Sequence, residues 1–212
     1  MIKIILIVIA VLLVVWSLYG YFAARVEQAE YSVLSENKVY EVRKYPEHIV
    51  AQATVSGEYT ESLNEGFTIV AGYIFGGNKK QEPIAMTAPV VIGNEEDTST
   101  PIAMTAPVVA GGTEQSRTVS FVMPKKYTME TLPVPTDPRV KIVKVPEQTF
   151  AVLRFSWWRT TSRIEKSGQK LLEALNTDGV TIVNPEVKYA GYNAPFTPPW
   201  MNRNEVMVEI QP

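Results

Sequence analysis

The sequence predicts an α+β fold: a β-β-α-β-β unit occurring twice, the two halves closing into a barrel or a twisted sheet, preceded by one membrane-spanning helix. Three observations predict it. Residues 39–59 overlay 139–159 at an offset of 100, matching Lys44, Pro46, Glu47 and Ala51 with Lys144, Pro146, Glu147 and Ala151. A Ser-x-x-Glu box follows each block, Ser62 to Glu65 and Ser162 to Glu165, of the kind that satisfies unpaired N–H groups at a helix start. Ahead of both halves lies an uncharged apolar run, Ile4 to Ala24.

That run comes first. At about 1.5 Å per residue it reaches roughly 30 Å, the thickness of a bilayer's hydrocarbon. Trp16, Tyr19, Tyr21 and Phe22 gather at its far end, where amphipathic rings favour the membrane interface. A cleaved signal peptide needs small residues three and one before the cut; Ala24 is preceded by Phe22 and Ala29 by Glu27, so an uncleaved anchor is the better reading. Lys3 precedes the span, and Arg25 after it is outweighed by Glu27 and Glu30. The N-terminus is therefore expected in the cytoplasm and the domain outside, periplasmic or extracellular. The expected division is an anchor at 1–24, a polar tether at 25–38 and a domain at 39–212, with halves at about 39–123 and 139–212.

Each half opens with an alternating strand, a Pro-Glu turn and a second strand, His48–Ser56 and Thr149–Trp157. Proline lacks the N–H that a central ladder needs, so it belongs at that corner. The first helix carries the stripe Leu63, Phe67, Val70, Ala71, Ile74 and Phe75, with Gly76-Gly77 as its stop. The second carries Ile164, Gly168, Leu171, Leu172 and Leu175, with Gly168 suited to a close backbone approach. Two strands follow each helix: Ile84–Ile92 (or its copy Ile102–Ala110) and Thr118–Met123, then Val180–Tyr189 and Val206–Ile210. The proline-rich stretch 124–138 links the halves.

Composition removes several function classes. A net charge of −2 offers no basic field for a phosphate backbone, so nucleic acid is not an expected partner. The absence of cysteine excludes disulfides, thiolate metal sites and cysteine nucleophiles. There is no G-x-S-x-G elbow, Gly-rich phosphate loop or H-E-x-x-H, so no enzyme is expected.

The nine residues PIAMTAPVV at 83–91 recur unchanged at 101–109. Within them, I-x-M-T-x-P-V resembles the signature of the SOUL/haem-binding protein family. The resemblance extends to Tyr40-Glu41-Val42-Arg43-Lys44-Tyr45, to Gly66-Phe67, Tyr73-Ile74, Gly76 and Asn78-Lys79, to Gly191-Tyr192-Asn193-Ala194-Pro195 and to Asn202-Arg203-Asn204-Glu205-Val206, covering about residues 38–211. It implies a pseudo-twofold distorted antiparallel β-barrel with two helices, and haem as a non-covalent cofactor. The sequence departs from the family in its two signature copies and in its apolar N-terminal run, which soluble animal members lack.

Haem is a large apolar plate with two carboxylates, so it needs an apolar cleft with cations at the rim. Phe67, Val70 and Ile74, flanked by Tyr73, are the expected wall, with Lys79 and Lys80 for the propionates. His48, the one histidine, is a candidate axial ligand; Met86, Met104 and Met123 offer thioethers but are commonly core fillers. Trp157-Trp158 and the run Phe196 to Trp200 suit a ligand mouth, a membrane surface or plain packing. The expected function is a membrane-tethered carrier, buffer or sensor of haem or a related tetrapyrrole, attached through residues 4–24. The alternative is a non-haem small-molecule or protein interaction module of the same fold, which resembles effector-binding domains of transcription regulators.

Overall fold

The computed structural model describes residues 1–23, 27–94, 116–193 and 196–212. In chain order they form α1 (Ile2–Ala23), β1 (Glu27–Gln28), β2 (Ser32–Glu36), β3 (Glu41–Tyr45), β4 (His48–Ser56), α2 (Tyr59–Ile74), β5 (Thr87–Ala88), β6 (Val90–Asn94), β7 (Ser116–Val122), β8 (Lys141–Val145), β9 (Gln148–Phe155), α3 (Thr161–Thr177), β10 (Ile182–Gly191) and β11 (Asn204–Ile210), with a 3-10 turn at Pro199–Met201. Nine strands make one antiparallel sheet in the order β2-β3-β9-β11-β10-β6-β7-β4-β8, and β1 pairs in parallel with β5.

The Pro46-Glu47 and Pro146-Glu147 corners do not make hairpins. β3 pairs with β9, from Glu41↔Val152 to Tyr45↔Gln148, and β4 pairs with β8, from His48↔Val145 to Gln52↔Lys141. The paired residue numbers have the same sum in both ladders, so the two bent strands continue as one ribbon past the prolines. β3 and β4 stand second and eighth in the sheet order. Laid flat, six strand spacings would separate them by roughly 29 Å, whereas the connecting residues reach only about 10 Å. The sheet must therefore curl, and it forms a half-barrel with β2 and β8 at its edges. Lys44 meets Glu147 and Lys144 meets Glu47 across the corner, each at 2.7 Å. Both pairs are exposed, so each contributes at most about 1 kcal/mol.

The helices take the apolar stripes expected of them, but start elsewhere. α2 packs on β4 and β7, placing Val70, Tyr73 and Ile74 against Ala51, Ala53, Val119 and Phe121. Its first turn begins at Tyr59, because Ser62 is buried and its hydroxyl accepts from Arg117 Nη1 at 3.3 Å instead of capping. α3 packs Leu171 and Leu175 on Ala151, Leu153, Val206 and Val208. Its cap is Thr160, whose side chain accepts from Arg163 N, rather than Ser162. Each such apolar side chain contributes about 1.5–3 kcal/mol on burial. Close approach needs glycine at two places: a Cβ on Gly66 would lie 2.6 Å from Val119 Cγ2, and one on Gly168 2.9 Å from Val187 Cγ1. α2 stops at Gly76, whose φ of 108° suits glycine, and the buried Asn78 side chain donates to Tyr73 O and Glu82 O.

The segment expected to be a tether, 25–38, contributes to the fold from Glu27 onward. β2 adds an edge strand to β3, and Ala29 N donates to Ala88 O beside the β1–β5 pair. All five residues of β2 are exposed; an edge strand wetted on both faces needs no apolar alternation, which is why its sequence reads as a linker. The first PIAMTAPVV copy fills the sheet slot, with β6 between β10 and β7. The expected strand Ile84–Ile92 is divided at Pro89, which has no N–H to donate. The second copy lies outside the described residues.

Candidate functional site

Along β9, Ala151 and Leu153 face α3 while Phe150 and Val152 face away, because strand side chains alternate. On the face away from α3, residues 27–31 cross the sheet as a strap. Between this strap, the Pro46 corner and the loop 123–130 lies a cleft of about 490 Å³. That volume falls within the range of small-molecule sites, about 300–1,000 Å³. Ile49, Val122, Met123, Pro124, Tyr127 and Met129 supply its apolar lining.

His48 lines this cleft and is half-buried. Its Nδ1 lies 2.8 Å from Pro46 O. A carbonyl oxygen only accepts, so the neutral ring carries its proton on Nδ1 and its free lone pair on Nε2, which has no hydrogen-bond partner among the described residues. A backbone carbonyl holding the other ring nitrogen is how ligating histidines are oriented. Lys125 and Lys144 also line the cleft, paired with Glu30 and Glu47. Glu130 at the same rim is held below the usual carboxylate range, chiefly by the hydrogen bond it accepts from Thr128 Oγ1. One imidazole could meet a metal and two lysines the acidic substituents of an apolar ligand, in a lining that also holds four carboxylates, Glu27, Glu30, Glu47 and Glu130.

A buried charge cluster fixes the other side of the strap. Glu205 accepts from Arg43 Nη1 at 2.9 Å and from Arg203 Nε at 2.8 Å. Arg203 Nη1 donates to Gln28 Oε1 and its Nη2 to Tyr31 Oη. The Arg43 guanidinium lies 4.3 Å from the centre of the Tyr31 ring, close enough for cation–π attraction. Burial alone would lower the pKa of Arg43, but its hydrogen bond to Glu41 and the charge of Glu205 outweigh this and raise it. The Tyr192 hydroxyl is buried beside this cluster without a hydrogen bond of normal geometry among the described residues, and burial, then the Glu205 charge, raises its pKa.

Of the side chains expected to hold a ligand, His48 alone lines this cleft. Val70, Tyr73 and Ile74 are fully buried between α2 and the sheet and present no open wall. The Tyr73 hydroxyl donates to Pro133 O at 2.8 Å, and burial with the nearby Tyr127 pushes its pKa up to about 12. Phe67 is exposed, with its ring 5.3 Å from that of Phe121 between centres. Lys79 and Lys80 are exposed in the turn after α2, where their backbone N–H groups donate to Val134 O and Asn78 Oδ1. Met86 packs against the core beneath α2, Met123 is buried at the cleft, and Met104 lies outside the described residues. No group of three or more His, Cys, Asp or Glu able to hold a metal ion occurs among the described residues. The strap and the 124–130 loop read in sequence as tether and linker; the apolar Tyr127 and Met129 inside the supposed linker were their one signal.

The model of the family described as SOUL heme-binding protein matches residues 26–209. Heme-binding protein 2 of Mus musculus and that of Homo sapiens are each 30% identical over 174 residues, covering 81% of this chain and 78% of the relative. Among solved structures, the EcmrR C-terminal domain superposes with a TM-score of 0.57 at 9% identity, over 81% of this chain and 98% of that one. A Listeria innocua protein described as a hydrolase superposes at 0.51 and 13% identity, over 84% and 94%. At such identities these two similarities concern the fold.

Proposed function

The chain belongs to the SOUL haem-binding family, and from that premise we propose that it is a membrane-tethered protein that binds haem or a related tetrapyrrole reversibly in the cleft at the Pro46 corner. The supporting observation is His48, whose Nε2 has no hydrogen-bond partner among the described residues and lines a cleft with apolar walls and a charged rim, while Nδ1 is held by Pro46 O. His48 would take the iron, and Ile49, Val122, Met123 and Tyr127 the macrocycle. Lys125 and Lys144 would meet the propionates. Both lysines already pair with carboxylates, so propionates compete for them instead of gaining unpaired charges, which favours exchange over permanent retention. Without cysteine there is no thioether attachment, so binding is non-covalent. The family is a binding family, in keeping with carriage, buffering or sensing rather than catalysis.

α1 is the tether. It is apolar, long enough to span a bilayer, and exposed along its length except near Trp16 and Gly20. Glu27 in the cleft wall follows Ala23 by four residues, so chain reach holds it within about 14 Å of the helix end. With Lys3 ahead of the span, the domain lies outside the cytoplasm. A C-terminal reporter active only outside the cytoplasm would be inactive if that orientation were wrong.

Hemin titrated into the full chain in detergent micelles is expected to give a saturable one-to-one Soret shift. His48→Ala should change the bound spectrum, while Lys79→Ala with Lys80→Ala should leave it unaltered. A linear, non-saturating response would overturn the haem reading; an unchanged spectrum in His48→Ala would remove the axial role alone.

A further inference from the structure

Two loops meet beside the exit end of α1. Trp16 Nε1 donates to Phe196 O at 2.7 Å, and the Trp16 and Trp200 rings meet edge to face with centres 5.3 Å apart. One turn further, Gly20 is buried, and a Cβ there would lie 2.7 Å from Pro198 Cδ. The loop 196–201 thus grips the last two turns of the helix. Trp16 stands seven residues before Ala23, so it lies roughly 10 Å inward from the helix end. A helix whose end reaches the outer edge of the headgroups, about 20 Å from the midplane, carries this loop's contact with Trp16 into the upper acyl chains.

The loop is built for that depth. Phe196 is 85% exposed, Trp158 58%, Trp157 49% and Trp200 42%. Trp157 N donates to Pro199 O, and Trp157 O accepts from Asn202 and Asn204, tying the two loops together. Trp157 and Phe196 sit at φ of 79° and 66°, a conformation that bulky side chains rarely adopt and that the fold nonetheless keeps. Neither 156–164 nor 192–203 contains an aspartate or glutamate, while Arg159 and Arg163 are exposed between them, in a chain whose net charge is −2. Exposed indoles with arginines and no carboxylates match a membrane interface, where rings take the headgroup level and cations meet lipid phosphates.

We propose that Trp157, Trp158, Phe196 and Trp200 form a lipid-docking face that seats the domain on the bilayer holding α1. This rests on the reading of α1 as a membrane anchor. The domain is then clamped to the membrane at two points, the span and the aromatic face, rather than hanging from it.

The test uses the full chain in phosphatidylcholine vesicles, with and without lipids brominated in the upper acyl chain, which quench nearby tryptophan. Trp16→Phe leaves the three loop tryptophans; Trp157→Phe/Trp158→Phe/Trp200→Phe leaves Trp16. Quenching in both proteins is expected, by about half or more for the loop set, and a further variant retaining only Trp200 should also be quenched, so that misfolding of one variant does not decide the result. Quenching of Trp16 without quenching of the loop set would overturn the docking face and leave the anchor standing. Quenching of the loop set alone would support the face and overturn the anchor. Quenching of neither would overturn both.

Discussion

Arg43 Nη1 stands 2.9 Å from Glu205 Oε2, with both side chains withdrawn from water. Arg203 shares the same carboxylate through Oε1. Removing Glu205 leaves Arg43 with Glu41 alone and takes from Arg203 the carboxylate it bonds. Glu205→Ala is expected to destabilise the domain by about 3–5 kcal/mol, read from the urea midpoint of the full chain in micelles. Because the partners touch, the double variant Arg43→Met/Glu205→Leu should lose about 1–3 kcal/mol less than the sum of the single changes.

Two glycines of α2 should respond in opposite directions. Gly66→Ala drives a methyl into Val119, a buried β-branched neighbour, and is expected to cost about 1–3 kcal/mol. Gly72→Ala meets nothing within 4 Å and should stabilise the helix by about 1 kcal/mol. Thermal unfolding of both variants checks the contrast, and equal effects would contradict the packing of α2.

Alkaline pH should weaken the fold through Tyr73. Its folded pKa, pushed up to about 12 by burial, lies above the ordinary value of about 10. The folded state therefore holds this proton more tightly than the unfolded state. Its contribution is fully present below about pH 10 and is lost as pH rises through about 12. Tyr45 and Tyr192, also raised, act with the same sign. Tyr73→Phe should cost about 1 kcal/mol at neutral pH through the lost bond to Pro133 O. It should also flatten the fall of the urea midpoint between pH 9 and 12, on the order of the window these values define.

Deleting Ile92–Val109 leaves one PIAMTAPVV copy and brings Ala110-Gly111-Gly112 to the positions of Ile92-Gly93-Asn94. Those positions pair with Val119, Thr118 and Arg117 of β7. Loss of the half-buried Ile92 side chain is expected to cost up to about 2 kcal/mol, offset by about 1–2 kcal/mol from the shorter connection. A cooperative unfolding transition near that of the parent is the expected outcome; an unfolded product would show that the added residues are needed.

Sequence alone determined what depends on local periodicity. β4 occupies His48–Ser56 as the alternation predicts, and the stripe of α2 points its Val70 and Ile74 into the core. α1 coincides with the uncharged run to within two residues at its start. β9 ends at Phe155 rather than Trp157 because Trp157 takes a positive φ that no strand continues through. Tertiary structure decided what depends on distant partners. Ser62 is a fair cap until Arg117 reaches its hydroxyl, and Pro46-Glu47 reads as a turn until the strands on either side pair with β9 and β8. The candidate site belongs to that second kind. Lys79 and Lys80 are near α2 in sequence, but His48 shares its cleft with Glu27, Lys125 and Lys144, residues that meet only when the sheet curls. Periodicity reports which face of an element is apolar; which elements then face one another is set by strand pairing across the whole chain, and the cleft is a product of that pairing.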